Sequence, residues 1–119
     1  MRILIVDDSK AMRSIVRRLV GQAGFTDAEI LEAEDGQEAF DTITSNRPDV
    51  VLSDWNMPIM TGIELLETLR AAGNDVPLGF ITSESSADFK DRAFDAGAAF
   101  MIAKPFTADD FVRILTPFS

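Results

Sequence analysis

The stretch Ile3-Leu4-Ile5-Val6-Asp7-Asp8 joins four consecutive apolar residues to two carboxylates near the start of a 119-residue chain. Such a short apolar run, rich in β-branched residues, is typical of a strand buried on both faces. Helices that cover both faces of a strand indicate an α/β sheet. In such sheets ligands bind beyond the carboxyl ends of the strands, where these two carboxylates follow.

Four more short apolar or β-branched runs follow along the chain, at residues 30–33, 50–53, 78–81 and 100–103. Apolar residues at helical spacing come after each run, as at Met12, Val16 and Val20 after the first. Strand–helix alternation repeated five times predicts an α/β domain with a parallel sheet. We find no linker or composition break, so we expect one domain over residues 1–119, with no output domain.

The charge balance limits the kind of partner. The chain has 20 acidic and 11 basic residues, a formal charge of -9. Nucleic acids and anionic membranes are held by clusters of Lys and Arg, so neither is an expected partner. A cation or a basic patch on a protein fits better. The absence of cysteine and of a membrane-length apolar run favours the cytoplasm.

The chain has no histidine and no cysteine. This composition excludes Ser–His and Cys–His catalysis and thiolate metal sites. Any chemistry must therefore use carboxylates, hydroxyls, Lys or Arg.

Polar residues follow four of the five apolar runs: Asp7-Asp8, Asp54, Thr82-Ser83 and Lys104-Pro105. If these runs are neighbouring strands, their ends meet at one edge of the sheet. Three close carboxylates repel one another, and a hard divalent cation such as Mg2+ relieves that repulsion. An Asp carboxylate can attack phosphorus, while a cation, an ammonium and a hydroxyl neutralise the transferred oxygens. The residues favour phosphoryl transfer to a carboxylate.

These motifs resemble those of response-regulator receiver domains, most closely the single-domain chemotaxis (CheY) type. The resemblance spans essentially the whole chain, and the motifs that carry it occur in order: Asp7-Asp8, Asp54-Trp-Asn-Met-Pro58 with Thr61-Gly62, Ile81-Thr82-Ser83 and Lys104-Pro105-Phe106. The resemblance implies a flavodoxin-like fold, a five-stranded parallel sheet in the order 2-1-3-4-5 with five helices on both faces.

The resemblance also implies a role for each acidic residue. Asp54 would be the phosphoacceptor. Asp8 and Asp54 would bind Mg2+ or Mn2+ directly, Asp7 would act largely through water, and Asn56 would offer its main-chain carbonyl. Asn56 would also tune autodephosphorylation.

The remaining site residues follow from the same resemblance. Lys104 would pair with the phosphoryl group, and Lys104-Pro105 would be a cis peptide. Thr82 would follow the phosphate and pull its loop inwards. The small Ser83 would leave room for the donor or for attacking water, and Glu84 would tune the lifetime of the phosphorylated state.

One position departs from the family pattern. Three residues before the lysine the family usually has Tyr or Phe, which swings inwards when the threonine moves, whereas this chain has Met101. Phe100 is adjacent, but strand alternation predicts that it points to the opposite face. Either the flexible Met101 replaces the aromatic switch, or coupling passes through the loop after the fourth run.

One surface feature has competing interpretations. Lys10, Arg13 and Arg17 fall on one stripe of the first helical segment. They predict either a solvated face or a docking surface for an acidic kinase or phosphotransfer domain. Trp55, beside Asp54, is expected to be a partly buried residue at the edge of the site.

We expect a monomeric, stand-alone response regulator that takes its phosphoryl group from a histidine kinase and binds a downstream protein. A flagellar motor switch is one candidate target, and a phosphorelay intermediate is an alternative. We expect no enzyme activity beyond its own phosphorylation and slow dephosphorylation. A docking receiver that needs no phosphorylation remains open. An aspartyl-phosphate hydrolase would need a second Asp at Asn56, and a nucleotide or flavin module would need a glycine-rich loop after the first run.

Overall fold

The computed structural model describes residues 1–83 and 86–119. Its strands and helices alternate along the chain, followed by a short 3-10 turn at Thr116–Phe118. The strands are β1 Arg2–Val6, β2 Glu29–Ala33, β3 Val50–Asp54, β4 Leu78–Thr82 and β5 Phe100–Ala103. The helices are α1 Lys10–Gln22, α2 Gly36–Asn46, α3 Gly62–Ala71, α4 Ala87–Asp95 and α5 Ala108–Leu115.

The strands form one parallel sheet in the order β2-β1-β3-β4-β5, which confirms the predicted topology. Val6 of β1 is paired with Ser53 of β3, so the carboxyl ends of these two strands lie side by side. Asp54 and Thr82 are the last residues of β3 and β4, one residue beyond the predicted runs. The edge position predicted for β2 is also confirmed.

Side chains of each strand alternate between two hydrophobic cores, because successive residues of a strand point to opposite faces. Leu4 and Val6 face a core that includes residues of α2, α3 and α4. Ile3 and Ile5 face the second core, which includes residues of α1 and α5. Helices therefore cover both faces of β1, as its uninterrupted apolar sequence predicts.

Side chains at the beginning of the helices fix where each helix leaves the sheet. The Ser9 hydroxyl accepts a hydrogen bond from Met12 N at the start of α1. Thr61 and Glu64 form a reciprocal capping box at the start of α3, directly after the loop that follows Asp54. Both caps adjoin the carboxyl edge of the sheet.

Glycines follow the ends of helices α1 and α4. The first helix passes through Gly21 and ends at Gln22, and Gly24, two residues further on, has φ +102. Gly97, two residues after α4, has φ +104, a conformation that side chains disfavour. Among the described residues, no helix combines the length and apolarity needed to cross a bilayer.

Candidate metal and phosphoacceptor site

Asp7, Asp8 and Asp54, here called the acidic cluster, each place a carboxylate oxygen within 4.8 Å of the other two. Asp7 and Asp8 directly follow β1, and Asp54 ends the adjacent β3. The parallel pairing of these strands brings together carboxylates that are more than forty residues apart in sequence. The predicted convergence of these three residues is confirmed.

Asp7 is the most enclosed member, with 6% of its surface exposed. Its Oδ1 accepts a hydrogen bond from Ser9 N at 2.8 Å, and its own N–H donates to Ala33 O at 3.1 Å. Asp8 is exposed at the mouth of the site. The cluster thus combines one held carboxylate with one that is open to solvent.

Asp54 lies between these two extremes, with 16% of its side chain exposed. Its Oδ1 accepts a hydrogen bond from Trp55 N at 2.9 Å and lies 3.7 Å from Lys104 Nζ. The carboxylate is held in orientation by the chain yet remains accessible from outside.

Burial and mutual repulsion act on the acidity of the cluster. Burial raises the pKa of Asp7, the Ser9 hydrogen bond opposes this, and the charge of Asp54 raises the pKa further. Burial also raises the pKa of Asp54, opposed mainly by the Lys104 ammonium. A bound divalent cation would favour the ionised carboxylates that these effects disfavour.

The donor set fits a hard divalent ion. Mg2+ prefers oxygen ligands and keeps several waters when it binds to one or two carboxylates. The acidic cluster offers carboxylate oxygens in this arrangement, and the exposed Asp8 leaves one side open. We therefore regard Asp8 and Asp54 as able to hold Mg2+ or Mn2+, with Asp7 behind them.

Thr82 and Lys104 complete the same edge of the sheet. Thr82 is buried at the end of β4, and its carbonyl oxygen accepts a hydrogen bond from Lys104 N at 2.9 Å. The Lys104-Pro105 peptide is cis, as predicted. The ammonium of Lys104, with a 26% exposed side chain, reaches Asp54 from the β5 side.

Comparison with known proteins identifies the family. The sequence pattern of the family described as "Response regulator receiver domain" matches residues 3–116 of the chain. The chain belongs to the response regulator receiver domain family.

Receiver domains of known structure share this fold closely. The chain resembles the chemotaxis protein CheY4 of Vibrio cholerae, with a TM-score of 0.86, 32% identity and coverage of 99% of this chain and 98% of that one. It also resembles the receiver domain of Francisella response regulator 1452, with a TM-score of 0.88, 27% identity and coverage of 98% and 94%.

A curated relative is considerably longer. "Response regulator MprA" of Mycolicibacterium vanbaalenii is 38% identical over 111 residues, which is 93% of this chain and 47% of that protein. The chain therefore spans about half the length of the curated relatives it matches.

The remaining predicted residues occupy different surroundings in the receiver domain. Asn56 and Ser83 are exposed just beyond β3 and β4. Met101 of β5 packs against the core that contains α4, whereas Phe100 faces the opposite core, as predicted. Glu84, predicted to tune the phosphorylated lifetime, lies outside the described residues.

Two features of the site differ from the sequence interpretation. Trp55 is a core residue with 8% exposure, so the prediction of a partly buried edge residue is wrong. Arg13 is not part of a solvated stripe, because its side chain is 12% exposed and pairs with Glu32. The charge pattern of α1 alone could not reveal this pairing, since Glu32 lies on strand β2.

Gly62 is needed at the site for a reason that its sequence motif does not reveal. A Cβ at this position would lie 2.5 Å from Asp54 O and 2.8 Å from Phe80 Cε1. Its N–H donates to Trp55 O at 2.8 Å. Only glycine fits where α3 begins directly against the end of β3.

Proposed function

We propose that Asp54 accepts a phosphoryl group from the phosphohistidine of a histidine kinase or phosphotransfer domain. The observation that carries this proposal is the position of Asp54 within 4.8 Å of two further carboxylates and 3.7 Å from Lys104. A carboxylate oxygen attacks phosphorus, the phosphorus–nitrogen bond breaks, and the histidine keeps the electron pair.

Each residue around Asp54 contributes to this transfer through charge or position. A divalent cation held by Asp8 and Asp54 would neutralise charge on the phosphoryl oxygens. Trp55 N orients the Asp54 carboxylate, and Lys104 brings a positive charge to the phosphoryl group. Thr82, at the end of β4, follows the new phosphoryl oxygens and moves its loop. Water entering beside the exposed Ser83 hydrolyses the acyl phosphate slowly, and Asn56 sets that rate.

The receiver domain then signals by binding a downstream protein. Its match to CheY4 over 98% of that chain supports an output of the chemotaxis type. A role as a phosphorelay intermediate is the alternative. We further propose that the domain is not an enzyme beyond its own phosphorylation cycle. Since histidine kinases use ATP, we place it in the cytoplasm.

A stand-alone, monomeric state without an output domain stays a prediction, because the curated relatives are about twice as long. Light scattering with and without beryllofluoride measures whether phosphorylation changes the oligomeric state. Binding of nucleic acid or of membranes is not expected of this acidic domain.

The chemistry is tested by intact mass spectrometry after incubation with acetyl phosphate and Mg2+. We expect the mass of one phosphoryl group to be added to the native protein and to be absent in Asp54→Asn. Asp91→Asn, which removes a carboxylate exposed on α4, is the matched control and should still be phosphorylated. Equal phosphorylation of the native protein and Asp54→Asn would exclude Asp54 as the acceptor.

A second measurement follows the site directly through the fluorescence of Trp55. We expect Mg2+ and then beryllofluoride, which mimics a phosphoryl group, to change the emission. Asp54→Asn should lose the response to beryllofluoride and bind Mg2+ more weakly.

A further inference from the structure

Arg13 links the first helix to the acidic cluster through its guanidinium group. Its Nη1 donates a hydrogen bond to the main-chain oxygen of Asp7 at 2.6 Å. Its Nε donates to Glu32 Oε1 at 2.9 Å, and only 12% of the side chain is exposed. One side chain of α1 therefore connects the end of β1 to the edge strand β2.

Arg17, one helical turn later, shares the same acidic partner. Its Nη1 lies 3.1 Å from Glu32 Oε2, but its side chain is 55% exposed. Among the hydrogen bonds of the described residues, Arg13 donates one to the main chain of Asp7 and one to Glu32, whereas Arg17 donates to Glu32 alone. The difference that bears on the site is the hydrogen bond of Arg13 to the main chain of Asp7.

We propose that Arg13 is a positioning residue for the metal site, which holds the peptide group between Asp7 and Asp8. The carbonyl oxygen of Asp7 belongs to that peptide group, so the bond from Arg13 fixes its plane. Asp7 is already fixed through its side chain by Ser9 N and through its N–H by Ala33 O. The bond from Arg13 completes the orientation from which Asp8 extends towards the cation. This inference rests on the proposed function, because it needs cation binding at the acidic cluster.

Charge and position predict opposite effects when Arg13 is replaced. A guanidinium near three carboxylates repels an incoming cation, so its charge alone weakens Mg2+ binding. Its hydrogen bond holds the loop in the binding orientation and strengthens Mg2+ binding. If neutralising Arg13 weakens Mg2+ binding, the cause is therefore the lost positioning and not the lost charge.

The test compares Arg13→Gln, Arg13→Lys and Arg17→Gln in Mg2+ titrations followed by Trp55 fluorescence. We expect Arg13→Gln to need about tenfold more Mg2+ for half-saturation. Arg13→Lys keeps the charge but cannot hold both Asp7 and Glu32, so it should also bind Mg2+ more weakly. Arg17→Gln removes the same charge from the same partner and should change the midpoint by less than about twofold, because exposed charges are screened.

The Mg2+ dependence of phosphorylation by acetyl phosphate separates positioning from general damage. In Arg13→Gln the Mg2+ concentration for half-maximal rate should rise about tenfold, while the rate at saturating Mg2+ stays within about twofold. A purely structural role would lower the free energy of unfolding in urea without moving the Mg2+ midpoint. If Arg13→Gln does not fold, the midpoint of Arg13→Lys decides.

The outcomes distinguish this inference from the proposed function. A native response that Asp54→Asn reduces, together with unchanged or tighter Mg2+ binding in both Arg13 variants, would overturn the positioning role and leave the proposed function intact. If the native protein shows no Asp54-dependent response to Mg2+ and is not phosphorylated, the proposed function fails and the inference with it.

Discussion

The indole ring of Trp55 lies against the ring of Phe89, with ring centroids 3.6 Å apart and planes tilted by 44°. The same indole meets Phe80 edge to face at 4.9 Å. The main-chain N–H of Trp55 donates to Asp54 Oδ1. One residue thus contacts the phosphoacceptor through its backbone and helix α4 through its side chain, which makes its ring a sensor of both.

Phe89→Ala should expose the indole and destabilise the domain. Phe89 is half-buried, so we expect a loss of about 2 kcal/mol in the free energy of unfolding, below the cost for a fully buried Phe. The emission of Trp55 should shift to longer wavelength, because water replaces the lost ring. Urea denaturation and the emission spectrum of the native state measure the two effects.

Phe94→Ala is the matched control, since Phe94 lies on the same helix but is 49% exposed. We expect a loss of less than about 1 kcal/mol and no shift in emission. Equal shifts for Phe89→Ala and Phe94→Ala would show that the stacking on Phe89 does not determine the surroundings of Trp55.

Removing the charge of Asp54 should stabilise the fold when no divalent cation is present. Burial raises the pKa of Asp54 above its ordinary value, so the native state binds more protons than the unfolded state between the two pKa values. The stability of the native protein therefore falls as pH rises through this range. Asp54→Asn should have the higher urea midpoint at about pH 7, and the gap should narrow towards about pH 4.5.

Mg2+ should reverse the order of the urea midpoints of the native protein and Asp54→Asn. Saturating Mg2+ stabilises a protein that binds it in the native state only, so the native protein should gain stability and Asp54→Asn should gain less. Asp91→Asn, with the carboxylate exposed on α4, should change stability by less than about 0.5 kcal/mol at either pH. A lower urea midpoint for Asp54→Asn than for the native protein at about pH 7 without Mg2+ would contradict a cost of burying the Asp54 charge.

The sequence predicts the sheet and the acidic cluster because both depend on local signals. Uninterrupted apolar runs specify strands covered on both faces. Since the strands of a parallel sheet run in the same direction, their carboxyl ends lie at one edge of the sheet. Asp7, Asp8 and Asp54 therefore meet in any sheet that places β1 beside β3. The family resemblance supplied the strand order.

Contacts between distant elements could not be predicted in this way. The burial of Trp55 depends on Phe80 and Phe89, which lie on β4 and α4. The role of Arg13 depends on Glu32 in β2. A single sequence gives the spacing of residues within one helix but not the partner that a neighbouring strand presents.

Gly62→Ala should damage both stability and the site. The new methyl group would lie 2.5 Å from Asp54 O, a backbone atom that cannot rotate aside. We expect a loss of about 2 kcal/mol in the free energy of unfolding, as for other overpacked sites, and weaker Mg2+ binding because Asp54 is displaced. Urea denaturation and Trp55 fluorescence measure both.

The control for this substitution is Gly21→Ala within α1. A methyl group there would meet nothing within 4 Å, so replacing a helical glycine should raise stability by about 0.5–1 kcal/mol. A loss of stability in both variants would mean that close packing around Gly62 is not the cause.

The loop after Asp54 contains a conformation that its sequence does not favour. Ile59 has φ +70 and 81% of its surface is exposed, although β-branched residues avoid this region of backbone space. Asn tolerates it, so Ile59→Asn should raise the free energy of unfolding by about 1 kcal/mol. Ile59→Val keeps the branched Cβ and should stay within about 0.5 kcal/mol of the native protein. If urea denaturation shows no gain for Asn over Val, the positive φ of Ile59 costs the fold nothing.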